Sequence, residues 1–136
     1  MTIVSTKMFA PQYDRDEHGW VKFPRDVELR RSLWPPDVFD HPAKANVYMV
    51  QELARYMTEP GNVVLDLFAG TGTQMISARD GRRVALIELE PTFQGLIKRT
   101  IAQWQLELPD LPEVHLYEGD CRQELPKMPY LVDAAI

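Results

Sequence analysis

Apolar and polar positions along this chain follow two regimes that meet near residue 41. Beyond that point the spacing is regular. Val47, Val50, Leu53, Ala54 and Met57 recur at steps of three and four, the period of one helix face, and Pro60-Gly61 closes the segment. Asn62-Val-Val-Leu-Asp-Leu-Phe68 is short, apolar and β-branched, which predicts a buried strand. Arg83-Val-Ala-Leu-Ile-Glu88 and Glu113-Val-His-Leu-Tyr117 predict two more. A helix-like stretch from Gln74 to Arg79 ends near Gly81. Pro91 opens a longer helix, with Phe93, Leu96, Ile97, Ile101 and Trp104 as its apolar face. A helical turn over about 121–125 is limited by Pro126, and Leu131-Val-Asp-Ala-Ala-Ile136 reads as a fourth strand. Strands alternating with helices predict an α/β fold, a doubly wound parallel sheet of about four strands.

Residues 1–40 read differently. Phe23-Pro24 and Trp34-Pro35-Pro36-Asp37 interrupt regular structure, and Tyr13, Trp20, Phe23, Trp34 and Phe39 are spread among charges. This predicts an irregular arm that packs its aromatics onto the body, with a short helix at about 26–32. Residues 41–136 then form the domain. A parallel strand buried on both faces needs a neighbour, so an apolar run at 131–136 carries the expectation of a domain truncated inside its sheet.

Composition narrows the classes. The apolar share of 45% and charged share of 26% are those of a folded soluble domain. No run approaches the ~18–20 apolar residues of a membrane span, and no secretory signal opens the chain. The single cysteine, Cys121, excludes an internal disulfide and suits a cytoplasmic location. A net charge of −5 shows no overall basic footprint, so any nucleic-acid surface must be local. Local positives stand at Lys22, Arg25, Arg30 and Arg31, at Arg79, Arg82 and Arg83, and at Lys98 and Arg99. No second His or Cys lies at ligand spacing from His41, so no metal site is expected.

Ligands of open α/β sheets bind beyond the carboxyl ends of the strands, which makes loops 66–73, 88–91 and 118–121 the rim. In Asp66-Leu67-Phe68-Ala69-Gly70-Thr71-Gly72-Thr73, two glycines let backbone approach a ligand and turn into a helix whose amides favour an anion. Met75 stands where a dinucleotide fingerprint has its third glycine, and no phosphate loop is present, which argues against NAD and ATP. Glu88 ends the second strand and suits the two hydroxyls of a ribose; Glu90 is the weaker choice. Asp120, in Gly119-Asp120-Cys121, offers an acceptor to an adenine amino group. Together these suit an adenosine with an amino-acid tail, as in S-adenosylmethionine.

At these residues the chain resembles the DNA amino-methyltransferases, which methylate adenine N6 or cytosine N4. His41-Pro42-Ala43-Lys44 is similar to the family's His-Pro-Ala-Lys element, and 66–73 to its Asp-Pro-Phe-x-Gly-x-Gly-Thr loop, with Leu67 in place of proline. The resemblance spans about residues 41–136 and implies a Rossmann-like sheet. It also implies a cofactor site of His41, Ala43, Lys44, Asp66, Phe68, Ala69, Gly70, Thr71, Gly72, Thr73, Glu88, Asp120 and Cys121. The partner it implies is DNA, reached through sequence beyond this part, and it suggests a restriction-modification setting. The family's Asp/Asn/Ser-Pro-Pro-aromatic catalytic loop is expected after Ile136, so no catalytic residue is assigned and residues 1–136 alone are expected to be inactive. Trp34-Pro35-Pro36-Asp37 reads as a structural turn. Several residues keep two readings. Phe68 packs beside the cofactor or in the core. Thr71 and Thr73 bond the methionine tail or cap the helix at Gln74, with Thr73 the better cap. Asp66 orients the glycine loop or reaches the cofactor amine through water. Arg30, Arg31 and Lys22 read as a solvated arm. The expected function is the cofactor-binding part of an S-adenosylmethionine-dependent DNA methyltransferase. The alternatives are methylation of RNA or another amine, and an inactive cofactor-binding module or half-enzyme.

Overall fold

The computed structural model describes residues 7–136; the first six residues of the arm lie outside the described residues. The apolar runs form four parallel strands, β1 (Val63–Asp66), β2 (Arg83–Glu88), β3 (Val114–Glu118) and β4 (Ala134–Ala135), in the order β3-β2-β1-β4. The chain thus steps outward from β1 to β3 and returns to the other side of β1. Asp66 sits beside Leu86 and Glu88 beside Glu118, so all carboxyl ends share one edge.

Alternation along β2 divides the core. Val84 and Leu86 face a large cluster with Val47, Val50, Met75, Ile76, Leu96, Ile97 and Trp104. These come from α2 (Val47–Met57), a 3-10 helix over Thr73–Asp80, and α3 (Pro91–Glu107). Burying one such large apolar side chain contributes about 1.5–3 kcal/mol. Ala85 and Ile87 face the other way, with Leu65, in a smaller cluster against the partly buried Leu67, Tyr117, Cys121, Met128 and Val132. Cys121, at the start of α4 (Cys121–Glu124), packs on this second face, and a 3-10 turn at Leu125–Lys127 follows the helix. The two layers of this α/β sheet are therefore unequal.

The arm packs as its aromatics predict, with exceptions. Its helix α1 spans Val27–Leu33. The Trp34 and Trp104 rings meet edge-on at 5.0 Å, and Trp104 Nε1 donates to the Leu33 carbonyl at 2.6 Å. Phe23 lies edge-on to Phe9 and Tyr13, and these reach Tyr56 and Tyr48 on α2. Trp20, by contrast, is 70% exposed. Trp34-Pro35-Pro36-Asp37 runs from a buried tryptophan into a 3-10 turn, Pro36–Asp40, which is the structural turn expected of it.

Other expectations need correction. The glycine loop leads into a 3-10 helix held between left-handed glycines, Gly72 at φ +80° and Gly81 at φ +84°. The helical turn before Pro126 is present as expected, α4 ending at Glu124, and Pro126 itself lies in the 3-10 turn that follows. Only two residues of 131–136 pair as strand, and Leu131 is 92% exposed. Asp133 is the physical reason: its Oδ2 accepts the Val63 amide at 2.7 Å, taking the donor that an earlier strand residue would use. Two of the local positives are not solvated. Arg30 is 1% and Arg82 5% exposed, and both are bonded within the body.

Candidate functional site

The rim of the sheet is organised around Glu88, the last residue of β2. Its Oε2 accepts the Gly70 amide at 2.5 Å and its Oε1 the Glu90 amide at 2.8 Å. Its own carbonyl accepts the Gly119 amide at 2.9 Å and Gln94 Nε2 at 2.8 Å. One buried glutamate therefore ties the loops after β1, β2 and β3 to one another. Each carboxylate oxygen keeps a second lone pair for a ligand.

The glycine loop is shaped by backbone bonds. The Ala69 amide reaches the Ile87 carbonyl and the Gly72 amide the Ala69 carbonyl, at 2.9 and 2.8 Å. Gly70 has φ +56°, a left-handed conformation that favours glycine, and a Cβ there would come into ordinary contact with His41 Nε2 at 3.4 Å. Asp66 Oδ1 accepts the Phe68 amide at 2.9 Å, which orients the loop as one of its two readings required. Burial pushes the Asp66 carboxyl above the usual range, against the lowering effect of that amide, and the nearby Glu88 charge adds to the rise.

The strap in front of α2 folds on itself. The His41 ring lies against Phe93 at 4.5 Å between centroids, its Nδ1 accepts the Ala43 amide at 3.1 Å, and its carbonyl accepts Lys44 Nζ at 2.7 Å. Asp120 caps α4 by accepting the Arg122 amide at 2.9 Å. The Arg122 guanidinium also bonds it, with Nη2 to Oδ2 at 2.5 Å, and holds its carboxyl down at about 2.

These elements enclose two adjoining cavities. The larger, about 630 Å³, is lined by the ends of all three loops, including Glu88, Leu89, Asp120, Cys121 and Arg122. The smaller, about 110 Å³, lies between the strap and the glycine loop and is lined by Ala43, Lys44, Ala45, Asp66, Ala69, Thr71 and Thr73. His41, Phe68 and Gly70 line both. Phe68 is 79% exposed, so of its two readings the one beside a ligand fits and the core one does not.

Twelve of the thirteen expected residues thus border one cavity or the other. Gly72 lines neither; a Cβ there would meet Ile97 and Met75 at 3.1 Å, so its place is at the core-facing turn. Thr73 does not cap the helix, since Gly72 is the cap residue and Thr73 Oγ1 instead accepts Arg30 Nη1 at 3.0 Å. Sequence reasoning missed Leu89, which is 59% exposed on the larger cavity, and Arg122. A large apolar residue between Glu88 and Glu90 was the available signal for Leu89.

The fold has solved counterparts among methyltransferases. The C-terminal domain of precorrin-6Y C5,15-methyltransferase from Rhodobacter capsulatus superposes with a TM-score of 0.58, at 18% identity, over 70% of this chain and 50% of that one. That likeness defines the architecture. The family follows from the sequence: the model described as DNA methylase, of the N6/N4 type, matches residues 9–99. The chain belongs to this family. It is also 35% identical over 63 residues to the type II methyltransferase M.BglI of Bacillus subtilis, which covers 46% of this chain and 18% of that protein. The chain therefore spans under a fifth of that relative's length.

Proposed function

We propose that this chain forms the S-adenosylmethionine-binding part of a methyltransferase acting on the exocyclic amino group of adenine or cytosine in DNA. The observation that carries the cofactor reading is the pair of cavities that share His41, Phe68 and Gly70. One is large and ends in carboxylates at successive strand ends; the other is small and bordered by threonines and backbone. An adenosine and an amino-acid tail need that division. Gly70, left-handed and facing His41 where the two cavities meet, fits a ligand that crosses between the two halves.

In this reading the lone pairs left on Glu88 accept the ribose hydroxyls, and Asp120 stands at the adenine end with Cys121 beside it. Phe68 and Leu89 supply apolar walls. Thr71, Thr73, Asp66 and the strap around Lys44 border the amino-acid tail. The cofactor, when bound, supplies a methyl group on a sulfonium, already a good leaving group. The residues here position it and keep water from one side, which is the larger part of such catalysis. DNA as the acceptor rests on the family, with the target base flipped out of the duplex to reach the methyl.

Isothermal titration of the chain with S-adenosylhomocysteine tests the cofactor reading. Binding by the parent with a loss of tenfold or more in Glu88→Ala is expected; no detectable binding by the parent overturns it. Transfer of labelled methyl from S-adenosylmethionine by the natural full-length protein then tests the acceptor. Duplex DNA is the expected acceptor, against RNA or small amines.

A further inference from the structure

Arg30 is the arm residue whose burial has no place in the site described so far. Its side chain is 1% exposed, an expensive position for a guanidinium unless its charge and donors are paired. Three acceptors answer it. Nη1 donates to Thr73 Oγ1 at 3.0 Å, and Nη2 donates to the Ala45 carbonyl at 2.7 Å and to Asp26 Oδ2 at 2.8 Å. Asp26 Oδ2 in turn accepts the Val47 amide at 2.8 Å, the first residue of α2. The guanidinium also lies 5.5 Å from the centre of the Trp34 ring.

Arg30 lines neither cavity, but Thr73, from the glycine loop, and Ala45, from the strap, both line the smaller one. No acceptor of Arg30 lines the larger one. A planar fork with donors fixed in direction therefore sets the gap between the glycine loop and the strap, while the other end of the groove is held by Glu88.

Resting on the cofactor reading above, we propose that Arg30, braced by Asp26, is a positioning residue for the amino-acid end of S-adenosylmethionine, acting through Thr73 and Ala45 without touching the ligand. The two ends of the groove are then held independently, and a change at Arg30 weakens only ligands that carry the tail.

The test compares S-adenosylhomocysteine with 5′-methylthioadenosine, which lacks the amino-acid group, by titration calorimetry on the parent, Arg30→Lys and Asp26→Asn. Lysine keeps the charge but cannot hold Thr73 and Ala45 together. Arg30→Lys is expected to weaken S-adenosylhomocysteine by about tenfold or more, on the scale of one charged hydrogen bond, with methylthioadenosine within about twofold of the parent. Equal weakening of both ligands, as a general loss of structure gives, overturns the proposal; so does no weakening of either. If Arg30→Lys fails to fold, Asp26→Asn decides. That variant keeps an acceptor for the Val47 amide and loses only the ion pair, so a tail-selective loss supports the proposal and a parallel or absent loss overturns it. A parent that binds neither ligand overturns the cofactor reading itself, an outcome distinct from any variant result.

Discussion

Replacing Glu88 by glutamine removes one charge and one acceptor from a position where both carboxylate oxygens already hold backbone amides. Glutamine keeps one carbonyl oxygen for the Gly70 or the Glu90 amide and turns an NH2 group, a donor, toward the other. One charge-assisted hydrogen bond is lost, about 1.5–3 kcal/mol, and the remaining one becomes neutral. For a domain of this size such a change lowers the melting temperature by about 6–12 °C. The effect on ligand binding is separate, since glutamine offers fewer acceptors to a ribose; a further loss of about tenfold to a hundredfold in affinity follows. Thermal melts followed by circular dichroism, with and without saturating S-adenosylhomocysteine, read both quantities. Glu90→Gln is the control: the Glu90 side chain is exposed and only its backbone amide joins the network, so its melt shifts by no more than about 0.5 kcal/mol. A Glu88→Gln melt within about 2 °C of the parent, roughly half a kcal/mol, refutes the claim that this carboxylate holds the loops together.

Arg82→Met leaves the Thr58 and Asp80 carbonyls without their guanidinium donors and is expected to cost about 2–4 kcal/mol in urea unfolding. Arg83→Met, on the exposed start of β2, changes stability by less than about 0.5 kcal/mol. Asp66→Asn keeps an oxygen for the Phe68 amide and removes a carboxyl whose folded pKa lies above its unfolded value. Such a group contributes its stability below the unfolded pKa, about 3.9, and loses it as pH rises through the folded one. The substituted amide is neutral at every pH, so urea midpoints should favour Asp66→Asn at pH 8 and converge with the parent below about pH 4; an advantage equal at both pH values contradicts the burial argument.

Local periodicity made most of the fold legible. The alternation Val84-Ala85-Leu86-Ile87 marks a strand buried on both faces, and its residues divide between the two core clusters. The glycine loop and Glu88 were legible because close backbone approach and a carboxylate at a strand end each leave a local mark. The 3-10 helix at 73–80 was less so. Thr73, Gln74 and Ser77 are buried polar residues, and Gln74 Nε2 answers Ser77 Oγ at 2.6 Å, so no polar face signals which side meets solvent. The fourth strand was overread because a side chain, Asp133, competes with the ladder for the Val63 amide, and nothing in an apolar run announces that competition. Arg30 was hidden by the ordinary rule that arginines are solvated. Its answer lies in Thr73, a residue far along the chain, and long-range pairing leaves no periodic trace.

The strand order explains why the site depends on residues that do not touch a ligand. Because the chain leaves β1 toward β2 and returns beside β1 as β4, the loop after β1 faces a crevice instead of a closed neighbour. Backbone bonds from Ala69 to Ile87 and from Gly72 to Ala69 set the turn of that loop. Here its Gly70 amide is fixed from β2 by Glu88, and Thr73 at its far end is fixed from the arm by Arg30. The two anchors hold different residues of the loop and share no bonded partner. Stiffness at the Glu88 end and stiffness at the Arg30 end can therefore be altered separately. That separation gives the arm a purpose within the domain: Arg30, from α1, bonds Thr73 and Ala45 of the smaller cavity's lining while lining neither cavity itself.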